Sequence, residues 1–445
     1  MHFRIKKGLD LKLTGEAMGK IVSPYSSHTF FVHPSDFRWL TPKLTVQVGD
    51  AVDIGSPLFF DKEDERIKIV SPVNGTVTQI VRGEKRVIQT IVIERDNDTT
   101  SREVQFDAPI SAEDYQSILL RFGLWPMLRQ RPFSTIANPD TLPKALFVPC
   151  FDSAPLAPDY SVLLQGRGDE FLSGLRVMRN LLPDVPMHLC MREGVDNALF
   201  EAAEEVEKHY FSGPHPAGNV GTHIHHIAPI NKGESVWYID PQDLATIGHL
   251  FQRKELCFDT TVALTGPCVA EPRYVHVPRW ADLSELLATS TPSDNVRMIS
   301  GNVLTGKQFD EYPAIRFYDH QLTMIAEGGL REFLGWLRPN LKKWSFSHTF
   351  LSWLAPKRPF SFNTSLYGGR RTFMMTDIYD KVFPFDIIPL SLLKACLVKD
   401  IENMEALGIY EVDDEDFALC EVVCPSKMEC QQIIRDGLFF IKNDK

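Results

Sequence analysis

Two cysteines near the C-terminus have the spacing of iron–sulfur ligands. Cys420 and Cys424 stand in a C-x3-C-P pattern, which is the last part of the bacterial ligand run C-x2-C-x2-C-x3-C-P. The two earlier ligands would fall on Phe417 and Asp414, and the spacing of Cys430 does not match the run. Because two thiolates cannot complete a four-cysteine site, we expect a degenerate ferredoxin-like helical scaffold with buried, inert thiols and no metal.

A segment rich in glycine and histidine is the second candidate site. Between residues 211 and 226, the candidates for a ligand or partner contact are Gly213, His215, Gly218, Gly221, His223 and His225. In an extended loop His223 and His225 would lie on one face, where a His-x-His pair can bind a metal. Glu234 and Asp240 follow only loosely and no cysteine lies nearby, so histidines hydrogen-bonded to the loop backbone are the favoured interpretation.

A glycine pair in the middle of the chain resembles part of a dinucleotide-binding fingerprint. Gly166 and Gly168 stand between a predicted strand and a predicted helix, and Glu193 could serve as the acid that binds the ribose. The third glycine of the fingerprint would be Phe171, whose ring opposes the close packing that glycine permits. A tight turn without a cofactor is therefore the favoured interpretation.

Basic and aromatic residues are concentrated in one segment. Residues 331–371 contain eight lysines and arginines, one acid and nine aromatic side chains, so the segment carries +7. This pattern fits a solvated basic face over core aromatics, docking on a membrane or membrane protein, or single-stranded nucleic acid. Docking on a membrane partner is the favoured interpretation, and its candidate residues are Trp336, Lys342, Lys343, Trp344, Trp353, Arg370 and Arg371.

The overall composition limits the class of protein. The chain has 445 residues, of which 44% are hydrophobic and 24% charged, which is typical of a globular protein of about three domains. The net charge of −11 argues against general nucleic-acid binding. We expect no membrane span, no signal peptide and a reducing cytoplasmic setting, because apolar runs are short and eight cysteines are widely scattered.

The elements that must position these residues suggest an α/β multidomain chain. Residues 1–100 show short strands separated by glycine, aspartate and proline, and a spacing similar to the barrel-sandwich of biotinyl and lipoyl carrier domains. Lys62 lies between the two half-motifs, but the hairpin that presents a modified lysine in those carriers is missing. We therefore expect the scaffold without its carrier chemistry, and Lys62 as an ordinary loop residue.

The rest of the chain divides into three further predicted modules. For residues 101–255, strands at 145–149, 161–164 and 187–191 and helices at 169–182 (capped by Asp169) and 197–209 predict a parallel Rossmann-like domain. For residues 256–330, strands at 260–264, 274–277, 295–299 and 322–325 with a helix at 282–288 predict a β-grasp-like module. For residues 331–445, the basic segment precedes predicted helices at 390–407, 415–420 and 428–441.

Several segments together resemble one family of respiratory proteins. They lie at residues 6–11, 82–86, 131–134, 211–225, 333–336 and 418–425. Over essentially its full length the chain resembles the NqrA family, which supplies one subunit of the Na⁺-translocating NADH:quinone oxidoreductases of bacterial respiratory membranes. That family is similar in fold to the RnfC protein of the Rnf complex and to the flavin-binding subunit of complex I, both of which bind iron–sulfur clusters in the C-terminal region.

The resemblance implies a supporting function in a larger enzyme. Proteins of the NqrA family are peripheral, lie on the cytoplasmic face of the inner membrane and hold no tightly bound cofactor. NADH, FAD, FMN, riboflavin and the 2Fe-2S centre are expected on the five other subunits, of which the membrane protein NqrB would be the chief partner. The chain would help to form the quinone site while electrons pass from NADH to quinone and Na⁺ is exported, without being catalytic alone. The alternative is an Rnf-like electron-transfer subunit that binds an iron–sulfur cluster or a flavin.

These alternatives differ in what the purified chain should carry. We expect a colourless protein whose intact mass equals that of the unmodified sequence. An iron–sulfur carrier would be brown and contain iron, and a carrier-domain enzyme would show added mass on Lys62. Metal analysis combined with intact mass spectrometry separates the three outcomes.

Overall fold

The protein was analysed as a computed structural model that describes residues 1–19, 22–196, 198–291, 295–328, 343–355 and 358–444. The strands are β1 (His2–Arg4), β2 (Val22–Pro24), β3 (Thr29–Val32), β4 (Pro42–Leu44), β5 (Ala51–Val52), β6 (Pro57–Asp61), β7 (Lys68–Val70), β8 (Gly75–Arg82), β9 (Ile88–Arg95), β10 (Ser101–Glu103), β11 (Arg129–Arg131), β12 (Thr135–Ile136), β13 (Leu146–Pro149), β14 (Met187–Arg192), β15 (Glu207–Ser212), β16 (Val236–Tyr238), β17 (Glu255–Cys257), β18 (Asp259–Thr265), β19 (Arg273–Pro278), β20 (Val296–Ser300), β21 (Lys307–Gln308) and β22 (Gln321–Ala326). The α-helices are α1 (Ala112–Arg121), α2 (Tyr160–Leu163), α3 (Gly168–Leu181), α4 (Ala198–Glu201), α5 (Val220–Ile227), α6 (Pro241–Arg253), α7 (Ser284–Ser290), α8 (Pro389–Val398), α9 (Ile401–Ala406), α10 (Ala418–Val423) and α11 (Cys430–Asn443).

The N-terminal strands form a barrel-sandwich. One antiparallel sheet has the order β3-β9-β8-β5, and a second has the order β4-β6-β7. Alternating apolar residues of both sheets, such as Phe30, Phe59 and Ile91, are buried in a shared core. Lys62 is exposed on the bend that follows β6, as expected for an ordinary loop lysine.

The first two strands leave this barrel-sandwich and join other sheets. β1 pairs in parallel with β15, and β2 pairs in parallel with β19. The N-terminal segment therefore links all three sheet-containing parts of the chain. Such pairings between strands distant in sequence cannot be read from local patterns.

The central sheet has seven strands in the order β1-β15-β14-β13-β16-β11-β12. β13, β14, β15, β16 and β1 run parallel, and β11 and β12 form an antiparallel edge. The helices α3 and α6 pack closely together, with Gly174 and Gly248 at the contact. The strands predicted at 145–149 and 187–191 are observed as β13 and β14.

Two predicted elements of this region are wrong. The run at 161–164 is the helical turn α2, because the Asp159 side chain accepts a hydrogen bond from the Ser161 N–H and starts a helix. Short apolar runs fit a buried helix as well as a strand, so periodicity alone could not decide. The helix predicted at 197–209 stops within α4, and its last residues belong to β15, since pairing with β14 and β1 on both sides overrides the glutamate-rich composition.

The predicted cap of α3 is also wrong. Asp169 lies inside the first turn, and the residue that precedes the helix is Arg167, whose side chain makes no capping hydrogen bond. An acid in the first turn is still favourable, because it faces the positive end of the helix dipole.

A mixed sheet follows, in the order β2-β19-β18-β22-β20-β21. β18 and β22 pair in parallel at its centre, while the flanking pairs β18–β19 and β20–β22 are antiparallel. The four predicted strands of this region correspond to β18, β19, β20 and β22, and the predicted helix to α7.

The C-terminal helices enclose a second hydrophobic core. The helix predicted at 390–407 is divided into α8 and α9, because Lys399 adopts a left-handed conformation and the Asp400 side chain caps α9. The other two predicted helices begin and end within a few residues of α10 and α11. Among the described residues, no helix combines the length and apolar character needed to cross a bilayer.

The contact between α3 and α6 gives a stability prediction. A Cβ atom on Gly248 would lie 1.8 Å from the Glu170 carbonyl oxygen, so Gly248→Ala forces the two helices apart. We expect the free energy of unfolding to fall by about 1–3 kcal/mol, although alanine is the better helix former. Urea denaturation of the full chain measures this, with Arg176→Ala on the exposed face of α3 as the control. Equal stability of the two variants would contradict the tight contact.

Candidate functional site

The carboxyl ends of the parallel strands meet at one edge of the central sheet, which we call the carboxyl edge. Residues 150–153 follow β13, Asp240 follows β16, and the Gly/His segment follows β15. Ligands of open α/β sheets bind outside this edge, where the strand order reverses. That point lies between β13 and β16, with β14 on the other side of β13. The carboxyl edge is therefore the place to examine for a functional site.

The crevice between β13 and β16 contains polar side chains from two parts of the chain. Tyr160 donates a hydrogen bond from its hydroxyl to Asp240 Oδ2 at 2.7 Å, and His320 Nε2 lies 3.0 Å from Asp240 Oδ1. Gln242 Nε2 donates to His320 Nδ1 at 3.0 Å. Burial raises the pKa of the neighbouring Asp152 to about 6. The polar groups of this crevice thus contact one another, although the buried His320 Nε2 lies near Asp240 without making a hydrogen bond.

The sequence did not predict this crevice. His320 comes from the loop before β22, which belongs to the mixed sheet. It lies about 80 residues further along the chain than Asp240, its contact beside the central sheet. The one local signal is Asp240 followed by Pro241, a helix cap followed by proline in the first turn of α6. That signal marks the start of a helix but not the partners that surround it.

Two glycines of the Gly/His segment allow close approach of other parts of the chain. Gly213 has a φ of +119°, and a Cβ atom there would lie 2.1 Å from the Ile5 carbonyl oxygen. A Cβ atom on Gly221 would lie 2.5 Å from Asp416 Oδ1. The segment therefore contacts the N-terminal strand on one side and the C-terminal region on the other.

His215 is a buried connecting residue of this segment. Its N–H donates to Asp10 Oδ1 at 2.9 Å, and its carbonyl oxygen accepts from the Leu9 N–H at 2.8 Å. Its Nδ1 lies 3.1 Å from Ser153 Oγ, which also accepts from the Gly218 N–H at 2.8 Å. Burial lowers the pKa of His215 to about 4. The imidazole is therefore a neutral part of the carboxyl edge.

The loop expected around His223 and His225 is instead a helix, so the condition for a shared face, an extended segment, is not met. Both residues lie in α5, where side chains two residues apart point to different sides of the helix. The sequence held the signal for this helix, since Val220, Ile224 and Ile227 have helical spacing. A metal pair of these two histidines is thus excluded by the geometry of α5.

His223 is completely buried under the sheet. Its Nε2 donates to the Ala217 carbonyl oxygen at 2.9 Å, and its ring packs 4.4 Å from the Phe211 ring. Burial lowers the pKa of His223 to about 3. The interpretation of a histidine hydrogen-bonded to the loop backbone is confirmed for this residue.

His225 points to the C-terminal region instead. Its Nδ1 donates to Glu411 Oε2 at 2.8 Å, while its Nε2 accepts from the Asp386 N–H at 3.1 Å. The two contacts need opposite roles of the two ring nitrogens, so the neutral form with Nδ1 protonated fits both. α5 is thereby fixed to the C-terminal helices.

A buried cluster of charges makes a second connection to the C-terminal region. Arg131, at the end of β11, is 2% exposed; its Nη1 lies 3.3 Å from Asp416 Oδ2 and its Nη2 contacts Glu415. Its Nε lies 3.7 Å from Asp413 Oδ2. Burial opposes ionisation of Asp413, but Arg131 and Arg38 hold its pKa below the usual range. We call Arg131 and its partners at residues 413–416 the Arg131 cluster.

Two further arginines extend this cluster. Arg38 of the barrel-sandwich approaches Asp413 Oδ1 at 2.5 Å and Asp414 Oδ1 at 3.1 Å. Arg435 on α11 donates to Asp414 Oδ2 at 2.5 Å. Arginines from three separate parts of the chain therefore converge on one short acidic turn.

The two positions that would supply missing iron–sulfur ligands have other contacts. Asp414 belongs to the acidic turn just described. Phe417 is fully buried, with its ring 4.7 Å from that of Phe383 in the C-terminal core. Both positions therefore support the packing and charge balance of this region.

The cysteines of the C-x3-C-P pattern are buried, which confirms the burial expected of them. Burial raises the pKa of Cys420. Cys424 Sγ lies 3.1 Å from the Tyr379 hydroxyl, and its pKa is lowered to about 5, chiefly by a hydrogen bond with Cys430. Within the described ranges, these thiols do not form a group of three ligands close enough to share one ion.

The glycine pair at Gly166 and Gly168 lacks the context of a dinucleotide site. It follows the helical turn α2, whereas the fingerprint requires a strand. Phe171 is fully buried against the Phe200 ring at 5.4 Å, and Glu193 Oε1 lies 2.9 Å from His2 Nδ1. The interpretation as a turn is consistent with these contacts.

The basic segment is described only in part, since Trp336 and Lys342 lie outside the described residues. Trp353 is 49% exposed, and Arg370 and Arg371 are exposed, with Arg370 Nη1 3.4 Å from Glu429 Oε2. In contrast, Lys343 is buried, with its ammonium 5.0 Å from the centre of the Tyr367 ring, and the Trp344 ring packs 5.9 Å from that of Phe362. The exposed candidates are therefore Trp353, Arg370 and Arg371.

Three protein-family models match successive parts of the chain and together cover most of it. Residues 3–96 match the NqrA N-terminal barrel-sandwich hybrid domain, residues 110–256 the NqrA second alpha/beta domain, and residues 261–311 the NQRA C-terminal domain. The NqrA subunit of the Na(+)-translocating NADH-quinone reductase of Pseudomonas aeruginosa is 39% identical over 446 residues, which is 99% of either chain. This chain belongs to the NqrA family.

Other members of the NqrA family are similar to nearly the same extent. The corresponding proteins of Haemophilus influenzae and Yersinia pestis bv. Antiqua are each 37% identical, over 99% of this chain and 99% of their own. Among solved structures, an air-oxidised NAD+-reducing [NiFe]-hydrogenase matches with a TM-score of 0.38 and 11% identity, covering 75% of this chain and 62% of that chain. A structural similarity this low supports no conclusion about this protein.

The Arg131 cluster gives a second stability prediction. Arg131→Met leaves Asp416 buried without its cation and leaves Asp413 with Arg38 alone, and we expect the free energy of unfolding to fall by about 3–5 kcal/mol. Urea denaturation of the full chain measures the loss.

The matched control for this experiment is Arg435→Met. It removes a partly exposed ion pair with Asp414, for which we expect a loss of about 1 kcal/mol or less. Equal losses for Arg131→Met and Arg435→Met would show that the buried charges contribute no more to the free energy of unfolding than the partly exposed pair.

The buried histidines predict a loss of stability in acid. The folded pKa values of His215 and His223 lie below the ordinary value of 6.5, so the unfolded chain binds more protons between about pH 6.5 and pH 4. Stability should therefore fall as the pH falls through this window, by up to about 1.4 kcal/mol per pH unit for each histidine. His223→Gln should make the dependence shallower, whereas His28→Gln on the exposed surface should leave it as it is. Chemical denaturation at pH 7 and pH 5 gives both slopes, and identical slopes for His223→Gln and the unmodified chain would refute this origin.

Proposed function

We propose that this chain works as the NqrA subunit of a Na⁺-translocating NADH:quinone reductase. In this proposal it is a peripheral protein on the cytoplasmic face of the bacterial inner membrane, and its partners are the five other subunits, chiefly the membrane protein NqrB. Electrons pass from NADH to quinone through those subunits, coupled to Na⁺ export. The observation that carries the proposal is 37–39% identity over 99% of the chain to relatives named as this subunit of the enzyme.

We infer that the modules are cofactor-binding folds used here as a scaffold. The parallel order β15-β14-β13-β16 supports a Rossmann-like second domain, and the central parallel pair β18–β22 supports a β-grasp-like third module. Helices α8–α11 support a ferredoxin-like C-terminal domain without its cluster. NADH, the flavins and the 2Fe-2S centre are then held by other subunits.

Contacts at two places support a chain without a tightly bound cofactor. Tyr160, Asp240 and His320 contact one another at the carboxyl edge. Asp414 and Phe417 stand at the positions of two missing cluster ligands. The alternative of an Rnf-like carrier of a cluster or a flavin is not favoured by the full-length similarity to NqrA proteins.

The Gly/His segment is our candidate for the part that supports quinone reduction. His225 connects α5 to the C-terminal region through its contacts with Glu411, between α9 and α10, and Asp386, before α8. A change in this contact would alter the surface that the chain offers to its partners and to quinone. In the proposal these residues position the surface, and no proton or electron passes through them.

The contact can be tested in membranes that contain the complete enzyme. We expect His225→Ala to lower the rate of quinone reduction by NADH at least several-fold, while NADH oxidation by a soluble electron acceptor stays unchanged. The control is His226→Ala, whose Nδ1 lies 2.8 Å from the Thr222 carbonyl oxygen of the same helix and whose ring packs near those of Phe3, Phe211 and His225. Full quinone reduction by His225→Ala, with the variant chain retained in the enzyme, would contradict the proposal.

The basic segment is our candidate for docking on the membrane subunits. The triple variant Trp353→Ala, Arg370→Glu, Arg371→Glu changes only exposed side chains and should release the chain from washed membranes, because it removes positive charge and an aromatic anchor. The control variant Arg176→Glu, Lys307→Glu changes exposed basic residues elsewhere and should stay bound. Immunoblotting of pellet and wash fractions measures retention, and a triple variant that remains in the pellet would refute docking through this segment.

A further inference from the structure

Two histidines and a glutamate come together at the edge of the central sheet opposite the carboxyl edge. His188 lies near the start of β14, and its register partner on β15 is Glu207. His209 lies two residues further along β15, so its side chain is on the same face as that of Glu207. Within the described residues, these three form the one group of potential ligands whose atoms lie within 4.8 Å of one another.

The separations of the three ligand atoms fit a single small cation. His188 Nδ1 and His209 Nε2 are 3.1 Å apart, and Glu207 Oε2 lies 3.5 Å and 3.8 Å from them. A point equidistant from atoms with these separations lies about 2.0 Å from each of them. Zinc is bound by histidine nitrogen at about 2.0–2.1 Å and by carboxylate oxygen at about 2.0–2.2 Å. No movement of the strands is needed to bring these atoms to zinc-binding distance.

We propose that His188, His209 and Glu207 bind one divalent transition-metal ion, with zinc as the best match. Two imidazole nitrogens and one carboxylate oxygen are a ligand set that zinc uses when a fourth position remains for water. The carboxylate end of the site is open, because the Glu207 side chain is 60% exposed. The ion would link β14 to β15, the strand that pairs with β1.

The surroundings of the two histidines favour the neutral imidazole, which is the form that binds a metal ion. The His188 ring packs 4.8 Å from the Phe147 ring, and the His209 ring lies 6.1 Å from that of Phe3. Burial lowers the pKa of each histidine to about 4, so both are neutral at pH 7. The charged groups nearest to them are the Glu207 carboxylate and the N-terminal ammonium, which donates to the Lys208 carbonyl oxygen at 3.0 Å.

A hydrogen bond between two neutral imidazoles is the alternative explanation of the short nitrogen–nitrogen distance. It accounts for His188 and His209 but gives no role to Glu207, whose Oε2 faces both rings. The two explanations therefore differ in what the glutamate does, and a variant of Glu207 separates them.

The test uses the full chain without a histidine tag, freed of metal by dialysis against a chelator. Titration with Zn²⁺ in a calorimeter should show one strong equivalent, and Co²⁺ should give the intense visible absorption of a four-coordinate ion. Glu207→Gln keeps the size of an exposed side chain and should weaken binding by at least about tenfold. His209→Gln should abolish it.

The matched control is Glu204→Gln, which changes another exposed glutamate in the loop before β15 and should bind Zn²⁺ like the unmodified chain. Absence of a strong Zn²⁺ equivalent in the unmodified chain would overturn the proposal. Unchanged binding by Glu207→Gln would do so as well, because the ion would then be held elsewhere. If His209→Gln does not fold, the Glu207→Gln and Glu204→Gln pair decides the question alone.

Discussion

The buried guanidinium of Arg131 is the interaction on which the arrangement of the chain depends. It lies at the end of a strand of the central sheet, and its partners are Asp413, Glu415 and Asp416 of the C-terminal region. Arg38 brings the barrel-sandwich to the same acidic turn. Burying these charges is costly, and only their mutual contact compensates for it, so the parts of the chain must keep the arrangement that brings the charges together.

The same acidic turn also connects the C-terminal region to the Gly/His segment of the central sheet. The acidic turn at 413–416 lies where a cluster-binding run would have its ligands, and it also approaches the Gly/His segment at Gly221. His225 and Glu411 make a further contact between the same two regions. Several contacts therefore hold the C-terminal region against the carboxyl edge, as the supporting function that we propose requires.

The sequence predicted what depends on local pattern and missed what depends on distant contact. Strands β13, β14, β18, β19, β20 and β22 follow apolar runs bounded by turn residues and were predicted. The run at 161–164 and the glutamate-rich run at 197–209 failed, because a capping side chain and strand pairing decided them. The family resemblance rested on motifs and is confirmed. The partners of Arg131, nearly three hundred residues away, and the pairing of His188 with Glu207 leave no trace in local spacing.

We propose that this chain supports quinone reduction as a scaffold and carries no redox group of its own. The most direct measurement is reconstitution: membranes that lack only this chain receive the purified, colourless, iron-free and flavin-free protein, and quinone reduction by NADH is followed. The account predicts that activity returns in proportion to the amount of protein that binds. Activity that returns only after iron and sulfide or a flavin have been loaded into the chain would contradict it.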